Sequence, residues 1–231
     1  MSNKNQNNKK LTKSKERVQK HGEVFTPAWI VNDMLAMFPD EVWELGKTFL
    51  EPACGEGAFL TEIYTRKLRK INTDIQDEWE WEAAIETSAI YGVELLQDNT
   101  EQCIINLMKI FLNFYKEKFP DTQSEDVINS VKFLLDTNII RGNFLTCRKC
   151  PVSCGNKCNK CELILFSEWI PDDNYHFTRK DWSFEGLIKA NQLIDKNKGS
   201  SLFDAESVKN EIALVKVWQP AHWKEVRYAK N

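Results

Sequence analysis

The chain has 231 residues, of which 42% are hydrophobic and 28% charged, and its formal net charge is −3. This length and apolar content predict one sizeable domain, or one domain with an appendage. No run of about 18 apolar residues occurs, so the sequence predicts no membrane-spanning helix, and its polar, basic start does not resemble a secretory signal. We therefore expect a cytoplasmic protein, in which seven cysteines favour thiols or a metal site over disulfides.

The first 20 residues differ in charge from the rest of the chain. They hold seven basic residues and one acidic residue, a charge of about +6, so the remainder carries about −9. Such a tail can contact nucleic acid phosphates or an anionic partner. The alternative is a solvated, disordered tail that only aids solubility.

The first predicted elements surround a glycine turn. A short helix over residues 27–38 precedes strand one at residues 47–51, and a second helix is predicted over residues 58–69. Between strand and helix, Gly55 and Gly57 let a backbone approach a ligand closely. The turn lies at the carboxyl end of a strand, where open α/β sheets bind ligands.

The turn is also acidic. Glu51, at its start, can accept hydrogen bonds from a cationic or hydroxylated group, and together with Glu56 it disfavours a phosphate. The turn therefore predicts a site for a zwitterionic nucleoside. The alternative is an ordinary strand-to-helix turn without a ligand.

Two motifs resemble those of a known family. Residues 51–60, Glu-Pro-Ala-Cys-Gly-Glu-Gly-Ala-Phe-Leu, resemble the first cofactor motif of the DNA amino-methyltransferases that use S-adenosylmethionine, particularly the adenine-specific branch. Residues 22–27, Gly-Glu-Val-Phe-Thr-Pro, resemble that family's N-terminal cofactor motif, in which Phe-Thr-Pro packs beside the methionine part of the cofactor. The resemblance implies a doubly wound, Rossmann-like methyltransferase fold over residues 21–146, with S-adenosylmethionine as its cofactor.

Residues 72–86 interleave six acids with Trp79 and Trp81. They predict a surface insertion or a helix that faces away from DNA, and a partner surface is the alternative. Strand two is predicted at residues 89–95 and contains Glu94 near its end. In nucleoside-binding α/β folds an acid at this point accepts bonds from both ribose hydroxyls; the alternative is a strand-end acid without a ligand.

Two helices follow, over residues 99–119 and 127–135, and Cys103 falls on the buried stripe of the first. Strand three is predicted at residues 138–145. The family commonly has an acid here that meets the adenine amino group of the cofactor, and Asn143 can accept the same bond through its amide oxygen. The residues assigned to the cofactor are Phe25, Thr26, Pro27, Glu51, Pro52, Ala53, Cys54, Gly55, Gly57, Glu94, Leu95, Asn143 and Phe144.

Five cysteines occur within residues 147–161. Paired Cys-x2-Cys knuckles let two sulfurs converge on one tetrahedral ion, so this segment predicts a structural zinc insertion. An iron–sulfur cluster and free thiols are the alternatives. The preferred ligands are Cys147, Cys150, Cys158 and Cys161. The ligand set stays open because the knuckles are closely spaced, and Cys154 is either spare or replaces one of the four.

Strand four is predicted at residues 162–166, and here the resemblance ends. In the adenine methyltransferases this strand ends in Asn or Asp, then Pro-Pro and an aromatic residue, which together hold the flipped base. This chain instead has Ser167, Glu168 and Trp169, and it contains no Pro-Pro pair. These three are the candidate catalytic residues, through hydrogen bonding to the base and stacking on it. A core or interface role is the alternative for Trp169.

Residues 162–231 are expected to hold the remainder of the core and two C-terminal helices, over residues 183–194 and 205–218. We expect this segment to be too short for the remaining sheet strands and a target-recognition domain. Four aromatic residues predict either a surface that a partner covers or a small local core: Trp182, Trp218, Trp223 and Tyr228.

Two functions remain open. The first is a DNA adenine-specific methyltransferase, or a component of one, in a restriction-modification or phage setting. DNA is then its substrate, and a protein partner supplies target recognition. The second is a catalytically silent methyltransferase-fold protein that keeps the cofactor pocket without the base pocket and binds or regulates a partner. Neither reading involves a membrane.

Overall fold

The computed structural model describes residues 16, 19, 26–149, 160–196 and 205–229. Its N-terminal part alternates helices and strands, and its C-terminal part is built around an antiparallel sheet. Among the described residues no helix is both long enough and apolar enough to cross a membrane.

The N-terminal part contains a parallel sheet of three strands in the order β1-β2-β3. The predicted elements are present with bounds within about four residues, so the α/β prediction is confirmed here. That this sheet is doubly wound stays a prediction. The elements, in chain order, are α1 Ala28–Leu35, β1 Phe49–Glu51, α2 Ala58–Lys70, α3 Gln76–Ser88, β2 Ile90–Glu94, α4 Gln97–Lys118, α5 Glu125–Asn138 and β3 Ile139–Arg141.

The two faces of the parallel sheet are covered by different parts of the chain, because successive side chains of a strand point to opposite faces. Gly92 faces the helices, since a Cβ at this position would lie 3.0 Å from Leu60 of α2. Val93 faces the other way and packs in a cluster with Ile164. On the same face the hydroxyl of Tyr91 donates to the carbonyl of Ser167 at 2.7 Å, so the C-terminal part covers this side of the sheet.

The C-terminal part forms an antiparallel sheet in which β4 Leu165–Pro171, β5 His176–Ser183 and β6 Leu214–Val217 lie in that order. A short strand, β7 Ala221–His222, also pairs with β5. Two helices lie between β5 and β6 along the chain, α6 Phe184–Lys196 and α7 Ala205–Ala213.

Two predictions for this part are wrong. The fourth strand is not part of the parallel sheet: residues 165–171 pair instead with β5, their neighbour along the chain, in an antiparallel hairpin that needs only a short turn. The last helix does not extend to residue 218 but ends at Ala213, and residues 214–217, Leu-Val-Lys-Val, continue as a strand. Valine favours strands. The prediction of a longer helix was based only on the helical spacing of apolar residues.

Residues 72–86 fall largely in a helix, as one of the two interpretations predicted, but they are not a surface insertion, because α3 is packed into the core. Trp79 is buried and stacks on Tyr115 of α4, with ring centroids 5.8 Å apart. Glu86 forms a buried salt bridge with Lys67 of α2 at 2.5 Å. The sequence predicted a surface segment because of the acids on the exposed side of this helix.

The C-terminal tryptophans belong mainly to a local core. Trp182 and Trp223 are buried, Trp218 is half-buried, and Tyr228 is exposed. Trp223 packs near Trp81 of α3, with ring centroids 6.3 Å apart. The local core, rather than an apolar partner surface, therefore accounts for these residues except Tyr228.

Candidate functional site

The glycine turn directly follows β1 and leads into α2. Gly55 has a φ of 54° and Gly57 a φ of 88°, in the left-handed region that favours glycine. A Cβ at Gly55 would meet no atom within 4 Å, whereas a Cβ at Gly57 would lie 2.8 Å from the thiol sulfur of Cys103. Gly55 therefore leaves open space for a ligand, and Gly57 instead lets the turn approach α4.

Glu94 lies beside this turn, at the carboxyl end of β2. Its Oε2 accepts a hydrogen bond from the N–H of Gly55 at 3.0 Å, and its Oε1 accepts one from the N–H of Leu96 at 2.9 Å. The side chain is 9% exposed, and Leu95 beside it is half-buried. Because each carboxylate oxygen has a second lone pair, Glu94 can still accept bonds from the hydroxyls of a ligand.

Glu51 ends β1 at the other side of the turn and is half-buried. Burial raises the pKa of its carboxyl above 4.5, and a hydrogen bond from the backbone of Ala53 offsets part of that rise. Pro52 and Ala53 are exposed. A cationic ligand group placed here would favour the ionised carboxylate and lower this pKa.

Cys54 belongs to the core and not to the open side of the turn. Its backbone N–H donates to the carbonyl of Val93 at 3.0 Å, which ties the turn to β2. Its sulfur lies close to Gly92, where an added Cβ would come within 2.9 Å. A hydrogen bond with the Cys103 thiol, together with burial, raises the pKa of Cys54, so the neutral thiol packs inside the protein.

Asn143 follows β3, at the same edge of the sheet as the turn. Its Oδ1 accepts the N–H of Leu145 at 3.0 Å and so caps the short 3-10 helix Phe144–Thr146. The oxygen retains a lone pair and the amide nitrogen can still donate. The ring of Phe144 packs on Phe184, with centroids 4.5 Å apart, which places this side chain in the core cluster.

The N-terminal motif is only partly described. Thr26 and Pro27 lie immediately before α1, and Phe25 lies outside the described residues. Helix α1 is tied to α2 by Arg66, which donates to the side-chain oxygen of Asn32 at 2.8 Å. The assignment of residues 25–27 to the cofactor stays a prediction.

Asn106 of α4 supports the turn and was missed by the sequence analysis. Its side-chain nitrogen donates to the carbonyl of Glu56 at 2.9 Å. Cys103, three residues earlier on the same helix, packs under Gly57. The only signal in the sequence is a polar residue at helical spacing from a buried one.

The candidate catalytic residues lie in β4, within the antiparallel sheet. Ser167 is buried and its hydroxyl pairs with Asp181 at 2.7 Å. Glu168 is exposed and accepts the indole N–H of Trp182 at 2.9 Å. Both side chains are thus engaged within their own sheet.

Trp169 has a position that favours a core role. It is 8% exposed, and its indole N–H donates to the side-chain oxygen of Asn138 at 3.0 Å. Asn138 immediately precedes β3, so Trp169 lies near the amino ends of the parallel strands. The glycine turn lies at their carboxyl ends, and Trp169 is therefore not placed to stack on a base next to the turn.

The cysteine segment is described only at its two ends. Cys150, Cys154 and Cys158 lie outside the described residues, and among the residues that are described no three His, Cys, Asp or Glu side chains form a group that could hold a metal. The chain on either side of the segment is paired. The backbone N–H of Lys149 donates to the carbonyl of Glu162 at 2.8 Å, so the two ends of the segment are held together.

Cys147 and Cys161 differ in their surroundings. Cys147 is 7% exposed, and its thiol contacts the carbonyl of Phe144 at 3.8 Å. It is paired through its backbone with Ile164, which is fully buried. Cys161 is half-buried at the end of the segment. Cys147 is therefore the more buried of the two.

A family model described as N-6 DNA Methylase matches residues 10–133 of the chain. The match includes the glycine turn and Glu94 and ends before β3 and the cysteine segment. No curated protein matches the chain, and no solved structure does.

Proposed function

Because the chain belongs to the N-6 DNA methylase family, whose model matches residues 10–133, we propose that it binds S-adenosylmethionine at the glycine turn and takes part in methylating the N6 amino group of adenine in DNA. When bound, the cofactor supplies a methyl group that is already activated by its sulfonium. The protein then needs mainly to position the cofactor and the base.

One observation carries the cofactor site: the carboxylate of Glu94 lies 3.0 Å from the N–H of Gly55, next to the open space above that glycine. An acid at the end of β2 is thus placed beside the turn after β1, in the arrangement that nucleosides use in α/β sheets. Glu94 would hold the ribose hydroxyls, Glu51 a cationic or hydroxylated group, and Asn143 the adenine edge.

The experiment is a calorimetric titration of the purified chain with S-adenosylmethionine, followed by a tritiated methyl-transfer assay on mixed-sequence DNA. Binding together with transfer supports a self-sufficient enzyme. Binding without transfer rejects the self-sufficient enzyme and keeps the cofactor site. If neither occurs, the proposed cofactor site itself is rejected.

The second candidate function is a methyltransferase-fold protein without its own base pocket. It is favoured by the position of Trp169, which is buried near the amino ends of the parallel strands, and by the engagement of Ser167 and Glu168 within the antiparallel sheet. Retained cofactor binding without methyl transfer by the isolated chain is the outcome expected for this function.

We also propose a structural zinc ion held by the cysteine segment. The backbone N–H of Lys149 donates to the carbonyl of Glu162, so the two ends of this segment lie together, which favours the binding of one ion by its cysteines. Since Cys147 is buried and its thiol contacts the carbonyl of Phe144, we propose Cys150, Cys154, Cys158 and Cys161 as the ligands in place of a set that includes Cys147. Four sulfur ligands leave no open position, and the zinc would have no part in chemistry.

A further inference from the structure

The parallel sheet has an open edge at β1. Strand order places β1 at one end of the sheet, and no strand of the described residues pairs with its outer side. The N–H of Phe49 donates to the carbonyl of Ala89, so by strand alternation the N–H and carbonyl of Leu50 point away from β2. The side chain of Leu50 is 47% exposed.

The chain leading to this edge is unusually apolar at its surface. Of the seventeen large hydrophobic side chains that are exposed among the described residues, six fall within residues 29–50. Phe38 is partly exposed while its ring packs on Phe49 of β1, with centroids 6.2 Å apart. Exposed apolar groups beside unpaired backbone groups are typical of a surface that another strand covers. The six residues are Trp29, Met34, Met37, Phe38, Leu45 and Leu50.

The charge around this edge selects the kind of partner. Residues 28–51 carry five acids and one base, Lys47, which pairs with Glu44 at 3.5 Å, and Arg66 of α2 adds a second base through its bond to Asn32. A second copy paired through its own β1 would bring the same acids together, and DNA at this edge would be repelled in the same way. A polypeptide with an apolar strand and a Lys- or Arg-rich rim complements the edge in backbone pairing, apolar contact and charge.

We propose that β1 is the docking edge for a strand of a different polypeptide, which is apolar in its centre and basic at its rim. The added strand would continue the sheet past β1. In open α/β sheets the ligand crevice lies at the carboxyl end of a strand that has neighbouring strands on both sides, where the strand order reverses. Docking therefore builds a second wall beside the glycine turn, at the point where the substrate half of the site is missing from the described residues.

The test is photo-crosslinking in the native cells. The photoreactive residue p-benzoylphenylalanine replaces Met37, which is 76% exposed, and the adduct is identified by mass spectrometry of its peptides. The same protein then carries Leu50→Pro, which removes the outward N–H of the edge strand while edge positions tolerate proline. Val217→Pro is the matched control, because the N–H of Trp218 donates to Arg179 and the N–H of Val217 therefore points away from β5.

The proposal expects one adduct, with a polypeptide of different sequence whose cross-linked peptide is rich in Lys or Arg. Leu50→Pro should reduce its yield at least tenfold, and Val217→Pro should leave it unchanged. Should Leu50→Pro fail to fold, Leu50→Lys decides, because a cation at this exposed position opposes the basic rim. An adduct between two copies of the chain, an adduct with nucleic acid, an unchanged yield in the variants, or no adduct overturns the proposal. The readout needs no methyl donor, so it fails or succeeds independently of the cofactor site.

Discussion

At the residue scale, polar side chains close the carboxyl ends of all three parallel strands. Glu51 ends β1, Glu94 ends β2, and Asn143 lies two residues beyond β3. Parallel strands bring these ends to one edge of the sheet, which is the edge where such folds bind ligands. Glu94 is the best placed, because it already contacts the turn.

Glu94→Ala should weaken S-adenosylmethionine binding by roughly 10- to 150-fold, since hydrogen bonds to a charged group contribute about 1.5–3 kcal/mol. The variant also loses the bond to the N–H of Gly55, so the turn loosens in the same direction. Isothermal titration calorimetry measures the change. The control is Glu101→Ala, an exposed acid of α4; equal affinity of the two variants would remove Glu94 from the site.

Glu51 should make cofactor binding pH-dependent. Its pKa is raised above 4.5 in the folded protein, so its neutral form is favoured and its contribution to stability falls as the pH rises through the window above 4.5. Binding of a cationic cofactor has the opposite sign, because it needs the carboxylate. Affinity should therefore increase as the pH rises through that window, and Glu51→Gln should flatten the profile. A wild-type profile that is already flat contradicts the assignment.

At the element scale, the glycine turn lies between β2 and α4 and contacts both. Gly57 lies against Cys103, and Asn106 holds the carbonyl of Glu56. The glycine spacing in the sequence correctly predicted a strand, a turn and a helix. The spacing could not show that Gly57 serves packing while Gly55 leaves space, because that difference depends on α4, some 50 residues away along the chain.

Gly57→Ala should therefore destabilise the protein more than Gly55→Ala. Both substitutions place a Cβ in the left-handed region, at about 1–2 kcal/mol, but only the Cβ at residue 57 meets the sulfur of Cys103, at 2.8 Å. Overpacking adds roughly 1–3 kcal/mol. Urea unfolding of both variants, and of Gly57→Ala combined with Cys103→Ala, checks this. If the second substitution recovers none of the extra loss, the contact is not its cause.

Strand β4 shows where local pattern was insufficient. The run of apolar residues at 163–166 predicts a buried strand equally well for either sheet. The choice is made by its neighbours along the chain, since residues 165–171 and 176–183 form a hairpin. The order of elements in the adenine methyltransferases predicted a strand of the parallel sheet here, and in the described residues this strand belongs to the antiparallel sheet instead.

The cysteine segment gives a prediction that separates its two described thiols. If the buried Cys147 is not a ligand, Cys147→Ser should keep about one zinc per chain, and Cys161→Ser should lose most of it. Elemental analysis of the purified variants measures the metal. If the wild type contains neither zinc nor iron, the metal site is rejected. If Cys147→Ser loses its zinc, Cys147 returns to the ligand set.

At the scale of the whole molecule, partly buried polar contacts join the N-terminal and C-terminal parts. The hydroxyl of Tyr91 donates to the carbonyl of Ser167, on the face of the parallel sheet that the C-terminal part covers. Ser130 of α5 donates to the carbonyl of Lys224 at 2.8 Å. These contacts, together with the packing of α3 against the C-terminal part, predict that the described halves unfold as one unit.

Asn138 offers the sharpest test of that coupling. It is fully buried, its amide donates to the carbonyl of Ser88 at 2.9 Å, and its oxygen accepts the indole N–H of Trp169. Asn138→Ala leaves two buried polar groups without partners, each at about 1–3 kcal/mol. We expect a single thermal transition at a lower temperature than that of the wild type. Calorimetry and tryptophan fluorescence measure this transition.

Cofactor affinity should be unchanged in Asn138→Ala, because this residue lies at the amino end of β3 while the glycine turn lies at the opposite edge of the sheet. The matched control is Asn129→Ala on the same helix, which removes an amide without breaking the link to Trp169. Two separate transitions in the Asn138 variant would show that this side chain joins units that can unfold independently. A large loss of cofactor affinity would instead show that the two ends of the sheet are coupled, and that the antiparallel part helps to shape the cofactor site.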